Sequence, residues 1–291
     1  MSCGVPLPLR WLWIGMALAG SLVLAALAYW QLIIAEGAYL GPRVVAWTYD
    51  WVARRYDAIK QFNPREETWF LSSPLLRALA EVSNPLVLDV ATGTGRLPLA
   101  LLRSHFRGQI VGLDLSAGML KQARSQLRIF GDQVGLVQQD ACHLPFDDGV
   151  FDAVTCLEAL EFLPRPRKAL AEMVRVLAPG GVLFLSNRVG REAHLLPGRS
   201  LPRPVFEQML ASSPLRDAQV RAWQVDYDLA MARKEGQPDS AGRGGIDLAS
   251  LLRCPGCGGR LQGTAIALNC HGCERRYAVR EGIVRLAAPT G

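Results

Sequence analysis

Short apolar runs recur along residues 86–188, and several end on an acidic residue or lead into a glycine turn. Continuous apolar runs of this length are typical of strands buried on both faces of a parallel sheet. The segments that follow the first two runs place apolar residues at helical spacing. This alternation predicts an α/β fold with a doubly wound sheet. The predicted strands are 86–89, 110–114, 135–141, 151–156 and one within 177–188.

The same patterning predicts the flanks of this sheet. Residues 45–62 and 66–82 have helical spacing, and a short helix is expected at 206–210. A broken alternation over 218–234 predicts two last strands. The expected organisation is an N-terminal tail at 1–10, a transmembrane helix at 11–35, a helical cap at 36–85, an α/β core at 86–234, a flexible Gly/Ser-containing linker at 235–247 and a small module at 248–291.

Residues 11–35 carry no charge and account for much of the positive mean hydropathy of +0.14. A bilayer core is crossed by about 20 apolar residues in a helix. Aromatic residues cluster toward both ends of this segment, as they do at headgroup boundaries. The segment therefore predicts a membrane anchor. A cleaved signal peptide ending near 26–28 and a buried helix of a soluble protein are the alternatives.

The basic residues around this segment predict its orientation. Arg10 is the only basic side chain upstream, whereas Arg43, Arg54, Arg55 and Lys60 follow downstream. Positive charge favours the cytoplasmic side of a bilayer. We therefore expect a single-pass membrane protein whose catalytic domain lies in the cytosol.

A glycine-rich turn follows the first predicted strand. The strand ends on Asp89, and Gly93 and Gly95 lie in the turn before an apolar helix. In open α/β sheets, ligands bind at the carboxyl ends of strands, and glycine lets the backbone approach them closely. An ordinary tight turn is the simpler interpretation. A dinucleotide fingerprint is disfavoured, because its third glycine position holds Pro98.

Two further acids stand at strand ends. Asp114 ends the second strand about 20 residues beyond the glycines, the spacing at which a carboxylate meets a ribose diol in nucleotide-binding units. Asp140 lies at the end of the third predicted strand. Carboxylate oxygens accept hydrogen bonds from vicinal hydroxyls, so these positions favour nucleotide-like binding.

These motifs, in this order over residues 45–234, resemble the class I S-adenosylmethionine-dependent methyltransferases, in particular their small-molecule and quinone-biosynthesis branch. The resemblance implies a Rossmann-like sheet and S-adenosylmethionine as cofactor. It implies that Asp89 and the glycines hold the methionine part, Asp114 the ribose and Asp140 the adenine. The cofactor-binding residues it suggests are Asp89, Ala91, Gly93, Gly95, Asp114, Leu115, Met119, Asp140 and Ala141.

The catalytic residue is harder to predict from sequence. Methyl transfer from a sulfonium is an in-line displacement in which alignment supplies much of the rate, and a base is needed only where a proton must leave. Glu158 and Glu161 follow the fourth strand, where members of this family line the transfer site. Glu158 is the candidate, and a solvated helix charge is the alternative. The segment lacks an Asn-Pro-Pro-Tyr-like tetrad, which disfavours methylation of nucleobase or glutamine amino groups.

Four cysteines near the C-terminus form two C-x-x-C knuckles. Cys254 and Cys257 are separated by twelve residues from Cys270 and Cys273, a spacing that suits tetrahedral, structural zinc. A cytosolic chain disfavours disulfides, and a redox motif would need one pair only. His271 is expected to face solvent rather than bind the metal. The module resembles the small zinc-ribbon proteins that pair with methyltransferases.

The other three cysteines have no such pattern. Cys142 and Cys156 are expected to be ordinary small core residues. Cys3 precedes the apolar segment, and no neighbouring motif supports its lipidation.

Together these features predict a membrane-anchored methyltransferase that acts on a lipid-like or small hydrophobic acceptor. An RNA methyltransferase that docks through the zinc ribbon is one alternative, although the net charge of +6 is modest and spread out. A non-catalytic scaffold that binds the cofactor is another. The expected partners are the bilayer and the acceptor, with a protein partner for the ribbon left open.

Overall fold

The computed structural model describes residues 9–286, so Cys3 and most of the N-terminal tail lie outside the described residues. One sheet of eleven strands has the order β6-β7-β5-β4-β1-β2-β3-β11-β10-β9-β8. The strands are β1 Leu86–Val90, β2 Gln109–Asp114, β3 Val134–Gln138, β4 Phe151–Cys156, β5 Leu177–Arg188, β6 Leu215–Trp223, β7 Tyr227–Lys234, β8 Leu261–Gly263, β9 Ala267–Cys270, β10 Arg276–Arg280 and β11 Ile283–Arg285.

The central strands β1 to β5 pair in parallel, and β7 runs antiparallel to β5. β1 and β4 are buried throughout, which explains their continuous apolar sequences. Parallel pairing brings the carboxyl ends of β1, β2 and β3 to one edge of the sheet, called here the carboxyl edge. β3 ends at Gln138 rather than at residue 141, because Asp140 turns the chain by accepting a hydrogen bond from the Cys142 amide.

Helices cover both faces of the sheet, and the cap is more segmented than the sequence predicts. Each predicted cap helix, 45–62 and 66–82, consists of two short α-helices. A 3-10 turn joins the first pair, and a π-helical turn joins the second pair. Asn63 accepts a hydrogen bond from the Arg65 amide and so starts a new helix. The α-helices are α1 Leu9–Tyr29, α2 Pro42–Val52, α3 Tyr56–Lys60, α4 Pro64–Glu67, α5 Ser73–Ala78, α6 Arg96–Arg103, α7 Ala117–Leu127, α8 Pro166–Val176, α9 Gly190–Ala193, α10 Arg203–Ala211 and α11 Leu248–Leu251.

The N-terminal helix is apolar and stands clear of the rest of the protein. The span Trp11–Ile34 is helical over 24 residues, and none of its most apolar window is buried. Its length and composition are sufficient for crossing a bilayer.

The C-terminal module shares the sheet of the core, which the sequence does not reveal. β11 pairs in parallel with β3, and Ile283 lies opposite Leu136. The Leu286 amide also donates to the Gln138 carbonyl. The cysteine module therefore extends the sheet at the strand that carries the Asp140 loop.

The predicted flexible linker lies against the core instead. The Arg243 guanidinium pairs with the buried Asp152 at 2.6 Å, and the Gly244 amide donates to the Asn84 carbonyl at 2.8 Å. These contacts satisfy polar groups of residues 235–247 along the protein surface, an arrangement that the composition of the segment does not reveal.

Candidate functional site

A cleft opens at the carboxyl edge of the sheet, between the glycine turn and the cap. Helix α2 of the cap forms one wall, and the segment after β4 forms another. Eight of the residues suggested by the sequence line this cleft: Ala91, Gly93, Asp114, Leu115, Met119, Asp140, Ala141 and Glu158.

The glycine turn has the backbone conformation that its sequence requires. Gly93 has a φ of 55° and leaves open space where a Cβ would stand. Gly95 has a φ of 84°, but a Cβ there would meet the Leu127 side chain at 2.7 Å. Gly95 is therefore not among the described residues that line the cleft, and its role is close packing of α6 against α7.

Asp89 lines a smaller cavity that adjoins the cleft and shares Gly93 and Glu158 with it. Its two carboxylate oxygens accept hydrogen bonds from the Thr92 and Thr155 hydroxyls, each at 2.6 Å. Burial raises the pKa of Asp89 to about 6 in spite of these hydroxyls. The carboxyl group is thus fixed in place and titrates near neutral pH.

Asp114 joins the glycine turn to the next helix. Its carboxylate accepts from the Gly93 amide and from the Ser116 amide, both at 2.8 Å. Burial raises the pKa of Asp114 to about 6, against the lowering effect of these amides. Each carboxylate oxygen has a second lone pair, so Asp114 keeps acceptor capacity toward the cleft.

The third acid borders the cleft on the β3 side. Asp140 is held by the Cys142 amide at 2.8 Å, and Gln139 beside it also lines the cleft. Leu115, Met119 and Ala141 supply apolar surface between the second and third acids. The three acids thus follow one another along the carboxyl edge, Asp89 and Asp114 at the ends of β1 and β2 and Asp140 in the turn just after β3.

The cap contains two Tyr-Asp pairs, Tyr49–Asp50 and Tyr56–Asp57, whose tyrosines contact the cleft and whose aspartates contact the core. The Asp50 carboxylate accepts from the Gly118 amide at 2.7 Å, at the first turn of α7, and the Asp57 carboxylate accepts from the Thr94 hydroxyl at 2.6 Å. Tyr49 and Tyr56 line the cleft instead. The aspartates therefore hold the cap on the core while the tyrosines wall the site.

Glu158 lies in a charged contact rather than in a solvated helix. Its carboxylate pairs with Arg96 and, at 3.3 Å, with Lys60. Burial acts to raise the pKa of Glu158, but the two cations outweigh it, and the net effect is a lowered pKa. An ionised, paired carboxylate is a weak proton acceptor, so this geometry favours a positioning role.

Arg96 is the central contact of this region, a role that its sequence context does not predict. Its guanidinium forms a two-point pair with Glu67 of the cap, at 2.6 and 2.7 Å, and also contacts Glu158. The Phe62 ring lies 4.0 Å from it. The only sequence signal is its position directly after the glycine turn.

Glu161, the second glutamate after β4, is buried behind the cleft wall. One carboxylate oxygen accepts from Arg188 at 2.7 Å and from the Tyr227 hydroxyl at 2.9 Å. The other has no hydrogen-bond partner among the described residues. Glu161 does not line the cleft in this arrangement, because Phe162 stands at the wall.

The four knuckle cysteines converge at the far end of the sheet. All four Sγ atoms lie within 4.8 Å of one another, with Cys254 and Cys273 3.6 Å apart and Cys257 and Cys270 3.3 Å apart. Tetrahedral zinc with bonds of about 2.3 Å requires separations of about 3.8 Å, so the sulfurs fit this metal. His271 is exposed and lies outside the cluster, as the spacing predicts.

Solved structures similar to this chain show the same fold. The [4+2]-cyclase SpnF has a TM-score of 0.56 at 20% identity, over 68% of this chain and 97% of its own. A chain in the complex between the Haloferax volcanii Trm112 methyltransferase activator and the putative methyltransferase has a TM-score of 0.51 at 21% identity. The match covers 66% of this chain and 97% of that chain. At these identities the likeness concerns the fold alone.

Proteins matched by sequence share a higher identity with this chain than these solved structures do. A family model described as "Methyltransferase domain" matches residues 88–185. The demethylmenaquinone methyltransferase of Clavibacter sepedonicus is 39% identical over 50% of this chain and 58% of its own length, so the match spans little more than half of that relative. The corresponding Parafrankia protein is 34% identical over 65% of this chain and 84% of its own. The chain therefore belongs to the class I S-adenosylmethionine-dependent methyltransferase family, of the quinone-biosynthesis type.

Proposed function

We propose that this protein is a membrane-anchored methyltransferase that moves the methyl group of S-adenosylmethionine to a lipid-like or small hydrophobic acceptor. The observation that carries the proposal is the cleft itself. It combines two strand-end acids, Asp114 and Asp140, with an apolar wall to which the cap contributes, and the third acid, Asp89, lines an adjoining cavity.

The cofactor would lie along the carboxyl edge. The turn at Gly93 and the nearby Asp89 would face its methionine part, and Asp114 would accept hydrogen bonds from the ribose diol. Asp140 would accept from the adenine amino group, with Leu115 and Met119 against the ring. Donors and acceptors are complementary at each of these positions.

The residues of this chain would act mainly by alignment. A sulfonium methyl group is already activated by its charge, so holding donor and acceptor in line supplies much of the rate. Glu158, fixed by Arg96 and Lys60, would shape the transfer site as a positioning residue. The tyrosines of the cap would exclude water from it.

The acceptor side of the cleft is the apolar side. Val45, Ala46, Phe162 and Leu163 line it. Relatives named demethylmenaquinone methyltransferase support a quinone-like lipid acceptor for this chain. A hydrophobic acceptor would bury apolar area against this wall, which is favourable by about 25 cal/mol per Å².

The anchor and the metal are separate parts of the proposal. Helix α1, with the basic residues after it, would hold the catalytic domain at the cytosolic face of a membrane. The four cysteines would bind one structural zinc, with all four positions taken by thiolate and none left for a substrate.

The decisive experiment offers methyl-labelled S-adenosylmethionine to the full-length protein with lipid, RNA and protein fractions in turn. We expect label in the lipid fraction, lost in Asp114→Ala and retained in the exposed control Asp217→Ala. Label in RNA would replace this proposal with the nucleic-acid alternative. Cofactor binding without transfer to any fraction would favour a scaffold.

Cofactor binding is expected to weaken at acid pH. Asp89 and Asp114 have pKa values of about 6, and the ionised carboxylate is the stronger acceptor, for the methionine part at Asp89 and for the ribose hydroxyls at Asp114. Protonation of one such group makes the Kd about tenfold higher at pH 5 than at pH 7.5. Isothermal titration measures this change, which should shrink in Asp114→Asn because one titrating group is lost.

The stability of the unliganded protein should change in the opposite direction. The folded-state pKa of Asp114 lies above its usual value of 3.8, so the folded protein holds this proton more tightly than the unfolded chain. The associated stabilisation is complete below about pH 4 and is lost as pH rises through 6.

A Kd for the cofactor that stays constant from pH 5 to 7.5 would contradict the assignment of Asp89 and Asp114 to the cofactor site.

A further inference from the structure

One face of the cap carries exposed tryptophan and arginine side by side. Arg43, Trp47 and Trp51 follow one another at intervals of four residues along α2, and Arg54 and Arg55 continue the row. All five are exposed, with Trp47 at 58% and Trp51 at 75%. Residues at this spacing lie on one side of a helix. We call these five residues the cap stripe.

The opposite face of the same helix belongs to the cleft. Val45, Ala46 and Tyr49 line the cleft, and Asp50 is bonded to the start of α7. The cap stripe is therefore the outer surface of the helix that walls the site. Two tryptophans this exposed are costly to leave in water, since each carries a large apolar ring.

The end of the apolar N-terminal helix is fixed to the same edge of the protein. The Trp30 indole donates to the Leu195 carbonyl at 3.1 Å and stacks on Tyr39, whose hydroxyl donates to the Pro197 carbonyl at 2.8 Å. Arg199 also contacts the Ala38 carbonyl. Because these residues follow β5 at its carboxyl end, the helix leaves from the edge where the cleft opens.

We infer that the cap stripe lies in the anionic headgroup layer of the bilayer that α1 crosses. Tryptophan rings favour this layer, and arginine is attracted to anionic lipid by about 1 kcal/mol per residue. The inference rests on the proposed anchor, because α1 brings the stripe to the membrane. The exposed Leu40 and Leu195 lie beside the end of that helix and extend the apolar surface.

The consequence concerns the path of the acceptor. With its outer face among headgroups, α2 separates the cleft from lipid by the width of one helix. An acceptor with a long apolar tail would then reach the cleft beside α2 without leaving the bilayer. The cap stripe would thus select acceptors that are already dissolved in the membrane.

The test uses the full-length protein in nanodiscs that contain brominated anionic lipid. The emission of Trp51 is obtained as the difference between the wild-type protein and Trp51→Phe, and its quenching by bromine is compared with quenching by aqueous acrylamide. We expect bromine to quench this emission and acrylamide to leave most of it. Quenching by acrylamide alone would overturn the inference.

The charged part of the stripe is tested by Arg54→Gln/Arg55→Gln. Each lost arginine is expected to lower, about fivefold, the equilibrium ratio of protein whose cap stripe lies in the headgroup layer to protein whose cap stripe lies in water. The change is measured as weaker bromine quenching of Trp51. The matched control is Arg128→Gln/Arg216→Gln, because both arginines are exposed and lie at the opposite edge of the sheet. Equal loss in the control pair would contradict a specific role for the stripe.

Carbonate extraction of membranes that carry the full-length protein separates the two proposals. If the protein is released, the anchor fails and the inference fails with it. If the protein is retained but Trp51 is quenched only by acrylamide, the anchor stands and the inference about the cap stripe alone is wrong.

Discussion

Replacing Arg96 with alanine is expected to lower the free energy of unfolding by about 3–5 kcal/mol. The guanidinium is 13% exposed and pairs with Glu67 and Glu158, whose side chains are 11% and 9% exposed. Its removal leaves two buried carboxylates, with Lys60 as the remaining cation on Glu158. Chemical denaturation measures the loss, which for a domain of this size lowers the Tm by roughly 2–4 °C per kcal/mol.

The matched control is Arg103→Ala, on the same helix. Arg103 is exposed in the last turn of α6, so its loss should cost no more than about 0.5 kcal/mol. Arg96→Ala should also raise the pKa of Glu158, because the cation that lowers this pKa most is gone. Similar stabilities for the two variants would show that the Arg96 pairs are not net stabilising.

Loss of the proposed zinc is expected to destabilise the edge of the core sheet at β3, and this is the second large expected effect. In Cys257→Ser/Cys270→Ser the ribbon would lose the metal on which its fold depends. β11 would then leave β3, whose pairing includes Val284 opposite Val137. We expect amide protection of the β11–β3 pair to fall about 1,000-fold, which corresponds to about 4 kcal/mol.

Hydrogen exchange and metal analysis check this prediction together. The wild-type protein should carry one zinc per chain, and the double variant none. His271→Ala is the control, because His271 lies in the second knuckle but outside the cysteine cluster, and it should keep both metal and protection. If the double variant keeps full protection at β3, the metal does not support the core sheet.

The sequence was most informative where an acidic residue stands at the end of a predicted strand. Asp89, Asp114 and Asp140 could be found because apolar runs mark buried strands, and parallel strands bring their carboxyl ends together. Gly95 packs against Leu127 and is not among the described residues that line the cleft. A glycine in a turn shows that space is restricted, but not which neighbour restricts it.

Contacts between distant segments were outside the reach of sequence patterns. Arg96 lies next to the glycine turn in sequence, yet its partners Glu67 and Glu158 are 29 and 62 residues away. The linker contacts of Arg243 with Asp152 were equally hidden, across 91 residues. Composition describes the local preference of such segments, whereas a buried partner elsewhere overrides it.

By itself, the sequence determined the alternating strands and helices, the three acids at strand ends, the apolar N-terminal segment and the paired cysteine knuckles. Each is a local property, since hydrophobic period, turn chemistry and ligand spacing are set by residues close together in the chain. Only the tertiary structure decided that the cysteine module extends the core sheet through β3, that Glu158 is an ion-paired carboxylate, and that α2 has one face in the cleft and the cap stripe on the other. These features depend on which surfaces meet after folding, and long-range packing settles that outcome.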